Sequence, residues 1–230
     1  MASELSVVVP VLDEAACIGR CLRALAAMRG VGEVIVVDGG SRDRTVEIAR
    51  GFSGVCVLAA PRGRGPQMNA GARAASGAVL LFLHADVALP ADAAAHVAAA
   101  LADPGVVGGA FRTWTVADGG GWPLGPLLHL ADLRSRVARL PYGDQALFVR
   151  REAFARAGGF PEQPLMEDVE LARRLRRLGR LVTVPASVRV SGRRFARNPL
   201  RAALALRVLP VLYRLGVAPE RLARLYGNPR

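Results

Sequence analysis

Across the first 103 residues, short apolar runs alternate with helical segments four times, and no other feature restricts the fold of this chain as strongly. Leu5–Val9 is a β-branched run that Pro10 is expected to stop. It reads as a buried parallel strand, because a strand covered on both faces carries no polar alternation. Asp13 is then expected to cap a helix running to about Met28, with Glu14 in its first turn. Further strands are expected at Glu33–Asp38, Val55–Leu58 and Ala78–Leu83. Helices are expected at Asp43–Arg50, at Gly65–Ala75 and from Pro90 to about Leu101. Such alternation gives an α/β fold with a mainly parallel central sheet flanked by helices. Ligands bind such sheets outside the carboxyl ends of the strands. Asp13, Asp38 and the pair His84 and Asp86 each follow a strand, so acidic groups should converge on one edge.

The second half is less regular. Val106–Val116 reads as a strand, Asp118–Pro126 as a Gly/Pro-rich loop containing Trp122, and Leu127–Leu140 as a helix. Gln145–Val149 is an apolar strand after Gly143 and Asp144. Met166–Leu178 is a helix whose first turn holds Glu167, Asp168 and Glu170, which suits the positive end of its dipole. Leu181–Val190 gives one or two strands, and Asn198–Leu215 and Pro219–Tyr226 are helical. No repeat or low-complexity linker interrupts the chain.

Charge narrows the partners. Thirty-one basic residues, all arginine, stand against 19 acidic ones, a formal net charge of +12. A hydrophobic content of 52% excludes intrinsic disorder. The positive charge points to a polyanion: nucleic acid, an anionic membrane surface or a phosphorylated small molecule. With 5% aromatic residues, stacking on nucleic acid is disfavoured. Cys17, Cys21 and Cys56 form neither a disulfide framework nor a zinc pattern; Cys17 and Cys21 are expected to pack on one helix face. No secretory signal and no uncharged apolar stretch of spanning length occur, so a cytoplasmic protein is expected.

The motifs define the chemistry. There is no GxxxxGK[ST] loop, no GxGxxG after the first strand, no nucleophile elbow and no CxxC pair. Without lysine there is no Schiff-base chemistry from this chain. Four segments appear instead, in order: VVVPVLDEA (7–15), VVDGGSRDRT (36–45), FLHADV (82–87) and MEDVELARRLRRLG (166–179). Over about residues 5–190 the chain resembles a family 2 glycosyltransferase with the GT-A fold. It is most similar to the short bacterial subfamily with FLHAD, GDQ and PERLARLY segments.

That resemblance implies a nucleotide-sugar donor, most readily UDP-linked, an acceptor hydroxyl, a divalent metal (Mg²⁺ or Mn²⁺) and an inverting displacement. Asp86 corresponds to the metal-binding DxD aspartate, while His84 stands where the first aspartate belongs. Imidazole suits Mn²⁺ better than Mg²⁺; a strand-end histidine bonded to backbone is the alternative. Asp38 corresponds to the acceptor for the uracil imide, and Pro10, Asp13 and Glu14 to the segment flanking base and ribose. The family pattern VDDGSxDxT is here VDGGSRDRT, with Gly39 in place of the second aspartate. Ser41, Asp43 and Thr45 look like turn and cap residues. Arg64, Gln67 and Asn69 lie in the loop and helix near the nucleotide, where arginine forks match phosphate oxygens. Asp168 corresponds to the general base and Glu167 to a residue orienting it or the acceptor. Gly143, Asp144 and Gln145 would line the donor sugar and acceptor.

Residues 1–195 are thus expected to form the GT-A domain. Residues 196–230 would be an amphipathic helical extension, packed on that domain or touching a membrane. Arg207, Arg214 and Arg221 recur every seven residues along it. The acceptor is not specified; a lipid-like one would fit this extension, with peripheral contact at the inner face of the cell membrane. Two rivals stand beside this reading. A nucleotidyltransferase on the same sheet would carry a Gly-rich basic loop after the first strand, which Val11–Ala15 lacks. A non-catalytic basic protein binding membrane or nucleotide leaves the acids at the strand ends unexplained.

Overall fold

The computed structural model describes residues 5–116, 145–191 and 208–226, with no account of the Tyr226 side chain. Within these residues the elements run β1 (Leu5–Val11), α1 (Ala15–Ala26), β2 (Val31–Asp38), α2 (Thr45–Arg50), β3 (Val55–Ala59), α3 (Arg64–Ala74), β4 (Val79–Phe82), β5 (Val87–Ala88), α4 (Ala93–Leu101) and β6 (Val106–Val116). After residue 144 come β7 (Phe148–Arg150), α5 (Arg151–Arg156), α6 (Glu167–Leu175), β8 (Arg180–Ser191) and α7 (Pro219–Tyr226). Residues 208–214 are also helical. The expected loop and helix across Asp118–Leu140, with Trp122, lie outside the described residues, as do Gly143, Asp144 and the start of the helix expected from Asn198.

The described strands form one sheet in the order β3-β2-β1-β4-β7-β6-β8-β5. β1 pairs in parallel with β2 and β4, and β2 with β3. The expected parallel sheet is therefore present. Unmarked by any local pattern, β7 inserts antiparallel between β4 and β6. β8 is one long strand beside β6. Ala110 pairs with Thr183 and Arg112 with Ser187, so two extra residues bulge out of β8. Pro185 falls in that bulge, where its missing N–H breaks no ladder.

The period-2 pleat sorts the sheet into two cores. Leu5, Val7, Val9, Val11, Val34, Val36 and Leu81 face α1 and α4. Val8, Ile35, Val37, Leu80 and Phe82 face α3, α5 and α6. Each fully buried aliphatic side chain contributes roughly 1.5–3 kcal/mol. Cys17 and Cys21 are buried in the first core as small apolar groups, and burial pushes the Cys21 thiol up to about 12. On the other face, Phe82, Phe154 and Phe160 stack against one another.

Pro10 does not stop β1; the strand continues to Val11. The reason lies in which neighbour each residue addresses. The Val11 carbonyl accepts from the Gly39 amide on the β2 side, whereas the Val8 carbonyl accepts from Leu83 on the β4 side. By alternation Pro10 faces β4, and it has no N–H to extend that ladder. β1 and β4 part after Val8 and Phe82. Because β2 and β3 lie on one side of β1 and β4 on the other, strand order reverses here. A crevice at such a switch point is where an open α/β sheet binds its ligand.

Candidate active site

The loops that follow β1 and β2 hold each other. The amides of Asp13, Glu14 and Ala15 donate to Ser41 Oγ (2.9 Å), Thr45 Oγ1 (2.8 Å) and Asp43 Oδ2 (3.0 Å). In return the Arg42 amide donates to Asp13 Oδ1 at 2.7 Å. The N-terminus of α1 is thus capped from the β2 loop. This corrects the expectation for Asp13: Glu14 is the N-cap residue, and it makes no side-chain cap bond. Asp13 instead takes a left-handed backbone, φ 54°, with its carboxylate across the gap. Desolvation pulls the Asp43 carboxyl up, but bonds from Thr45 and Ala15 outweigh it and hold the group below its ordinary value. Asp38 ends β2 and is buried; its carboxylate accepts from the Gly40 (3.0 Å) and Ser41 (3.1 Å) amides. That fixes the carboxylate's orientation at the sheet edge.

The crevice itself is a cleft of about 420 Å³, its open mouth included, lined by Pro10, Val11, Leu12, Glu14, Arg64, Gln67, His84, Ala85 and Asp86. Three separate motifs therefore meet in one place. His84 and Asp86 project from a tight turn closed by the Val87 amide on the His84 carbonyl at 3.0 Å. The same cleft holds the start of α3 at Arg64, behind Gly63 with φ 136° and ψ 139°, a backbone region open only to glycine. No side chain caps this helix start, which leaves its dipole and the Arg64 guanidinium to an anion.

Gln67 is almost fully buried and staples the floor of the cleft. Its Nε2 donates to the carbonyls of Val11 and Val37, both at 2.8 Å, tying the ends of β1 and β2. This explains the departure at Gly39. A Cβ there would lie 2.9 Å from Gln67 Oε1, so the space of the family's second aspartate is filled by the Gln67 amide. Asn69 is not among the cleft-lining residues. Its amide clamps Phe160, donating to the carbonyl at 2.8 Å and accepting from the N–H at 2.9 Å. It thereby fixes the segment that leads toward α6.

Glu167 and Asp168 open α6 behind Met166, whose φ is 65°. Glu167 is 5% exposed. Burial first, and the neighbouring Asp168 charge second, push its carboxyl up to about 7, while Arg64 pulls it down. Arg64 thus lines the cleft and also acts on Glu167 of α6. Asp168 is only half-buried, and its Oδ1 accepts from the Val169 amide at 2.8 Å. Gln145 is buried beside Ala146, φ 49°. The Phe82 amide donates to the Leu147 carbonyl, so the antiparallel register carries Gln145 toward His84. Asp13, Ala146 and Met166 are the non-glycine residues with positive φ among those described. Each costs of order 1–3 kcal/mol, and each adjoins a motif residue, a placement typical of strain held at functional sites.

Among the described residues no three His, Cys, Asp or Glu side chains are grouped to hold a metal by themselves. Asp86 and His84 supply an oxygen and a nitrogen donor from one turn, facing the cleft. That set fits an ion that takes its remaining ligands from a bound diphosphate and water, as Mg²⁺ and Mn²⁺ do in phosphate sites.

The sequence motifs gave no sign of what lies behind α6. Leu165, Met166 and Val169 pack with Leu209 and Leu222 of the C-terminal helices. Tyr213 donates its hydroxyl to Glu170 Oε2 at 3.4 Å, beside bonds from Arg173 and Arg174 at 3.0 Å. Burial raises the Glu170 carboxyl, but the two arginines outweigh it and hold it low. The amphipathic pattern of 208–226 thus serves packing on one face.

The mostly parallel sheet, with its cleft at the switch point, has the GT-A fold of solved glycosyltransferases. The mannosyltransferase PcManGT of Pyrobaculum calidifontis, in complex with GDP-Man and Mn²⁺, superposes over 97% of this chain and 68% of its own, TM-score 0.73 at 23% identity. Glucosyl-3-phosphoglycerate synthase of Mycobacterium tuberculosis, holding Mn²⁺, UDP and glucosyl-3-phosphoglycerate, superposes over 80% and 70%, TM-score 0.57 at 22% identity. Residues 6–158 match the family model "Glycosyl transferase family 2", more than half of the chain, and the chain belongs to that family. Among curated relatives, the glycosyltransferase AglE of Haloferax volcanii is 39% identical over 90 residues. That match spans 35% of this chain and 30% of the relative's length.

Proposed function

We propose that this protein moves a sugar from a nucleoside-diphosphate sugar to an acceptor hydroxyl, with inversion at the anomeric carbon. The observation that carries the reading is the cleft at the β1/β4 switch point. There Arg64, Asp86 and His84 line one cleft, and the Arg64 charge reaches Glu167 at the start of α6.

The residues divide the work. Asp38, held by two loop amides, accepts the imide N–H of the base, with Pro10, Asp13 and Glu14 beside base and ribose. Uracil carries such an N–H, which favours a UDP-linked donor; guanine carries one too, so both belong in a test. Arg64 and the start of α3 hold the diphosphate. Asp86, with His84, would hold Mg²⁺ or Mn²⁺, which when bound neutralises charge on the leaving diphosphate. Gln145, with Gly143 and Asp144 before it, lines the sugar and acceptor. Asp168 takes the acceptor proton as that oxygen bonds to the anomeric carbon and the bond to the diphosphate breaks. The products are the glycoside and a nucleoside diphosphate. Glu167, whose buried carboxyl is raised to about 7, supplies a carboxyl that orients Asp168 or the acceptor.

Product analysis tests the reaction class. Turnover is expected to release nucleoside diphosphate and no pyrophosphate. Pyrophosphate from a nucleoside triphosphate would show the rival nucleotidyltransferase instead.

A further inference from the structure

Five large apolar side chains are exposed among the described residues, and four of them lie in 208–226: Val208 (37%), Val211 (52%), Leu215 (76%) and Leu225 (65%). The first three follow helical spacing through 208–215, so they share one face. It is not the packed face, which consists of Leu209 and Leu222 with Leu212, Tyr213 and Val217 around them. Also exposed on 208–226 are Arg214, Arg221 and Arg224, against one acid, Glu220. Apolar side chains together with arginine complement a surface that is greasy beneath and anionic above.

We infer that this outer face docks on an anionic lipid bilayer. The apolar side chains enter the headgroup boundary, and the arginines meet the lipid charges. Each arginine near an anionic surface contributes roughly fivefold in partitioning at low salt. No helix among the described residues is long and apolar enough to cross a membrane, and the contact proposed is peripheral. The placement has a consequence for substrate. The same helices pack by their inner face on Leu165, Met166 and Val169, which flank Glu167 and Asp168. One helix thickness, about 10 Å, then separates the bilayer surface from the acidic pair. An acceptor hydroxyl on a membrane-borne molecule fits that distance. This consequence rests on the role proposed for Asp168; the docking itself does not.

The test is sedimentation of the full chain with vesicles of phosphatidylcholine alone or with one third phosphatidylglycerol. Binding is expected to the anionic vesicles, at least about tenfold stronger than to neutral ones and weakened by salt. The exposed pair V211E/L215E should lose that binding while keeping wild-type thermal stability and nucleotide affinity. R214Q/R221Q/R224Q should lose the preference for anionic lipid. Absence of binding to anionic vesicles overturns the inference, and so does binding that V211E/L215E leaves unchanged. A dimer in solution that V211E/L215E dissolves also overturns it, assigning the face to a second copy of the chain.

Discussion

Asp168→Asn is expected to lower sugar transfer by about 10²–10⁴-fold, the usual worth of a general base, while nucleotide affinity stays unchanged. The substitution is close to isosteric. Asparagine keeps an oxygen for the Val169 amide, which now donates to Asp168 Oδ1 at 2.8 Å, so the start of α6 should hold its shape. What is lost is the capacity to take a proton. Initial rates at saturating donor, with nucleoside diphosphate affinity by calorimetry on the same preparation, separate the two effects. A variant with wild-type turnover removes the base assignment, and one that no longer binds nucleotide shows a role in holding the donor.

Glu167→Gln is expected to stabilise the protein in alkaline solution and not in acid. The ordinary value for this carboxyl is 4.5, and burial followed by the Asp168 charge raises it to about 7 in the fold. Between those values the folded chain keeps a proton that the unfolded chain has released, so stability falls as pH rises through the window. Below 4.5 both states are protonated and there is no penalty; above 7 the whole penalty, about 3 kcal/mol, is present. Glutamine removes the charge. Urea denaturation should therefore show the variant about 3 kcal/mol more stable at pH 8 and equal to wild type near pH 4. An equal effect at both pH values contradicts a buried, ionising Glu167. The same variant should lose activity, an instance of stability given up at a working site.

The first half of the fold was legible because its runs are strongly periodic. Val7, Val8 and Val9 are buried on both faces, and their unbroken apolar pattern marks a central parallel strand. The placement of Asp86 at a strand end was legible for the same reason. Other features depend on residues far apart in sequence. Asp43 caps a helix 28 residues before it, and Gln67 bonds a carbonyl 56 residues away. Neither leaves a local signature. Pro10 reads locally as a strand breaker, yet at this position its missing donor faces the side where β4 has ended. β7 has three residues, too few for periodicity to show that it runs antiparallel. The amphipathic C-terminus read equally as packing or membrane contact, because a helix with two apolar faces satisfies both descriptions.

The most direct measurement is a thermal-shift panel of UDP- and GDP-sugars, with and without Mn²⁺ or Mg²⁺, on wild type and on Asp86→Ala. A ligand that binds only the folded chain raises the melting temperature with the logarithm of its concentration over Kd. At least one donor should raise it in the presence of metal, and Asp86→Ala should abolish the metal dependence of that shift. No shift with any nucleotide sugar, with either ion, would contradict a donor site at the β1/β4 crevice.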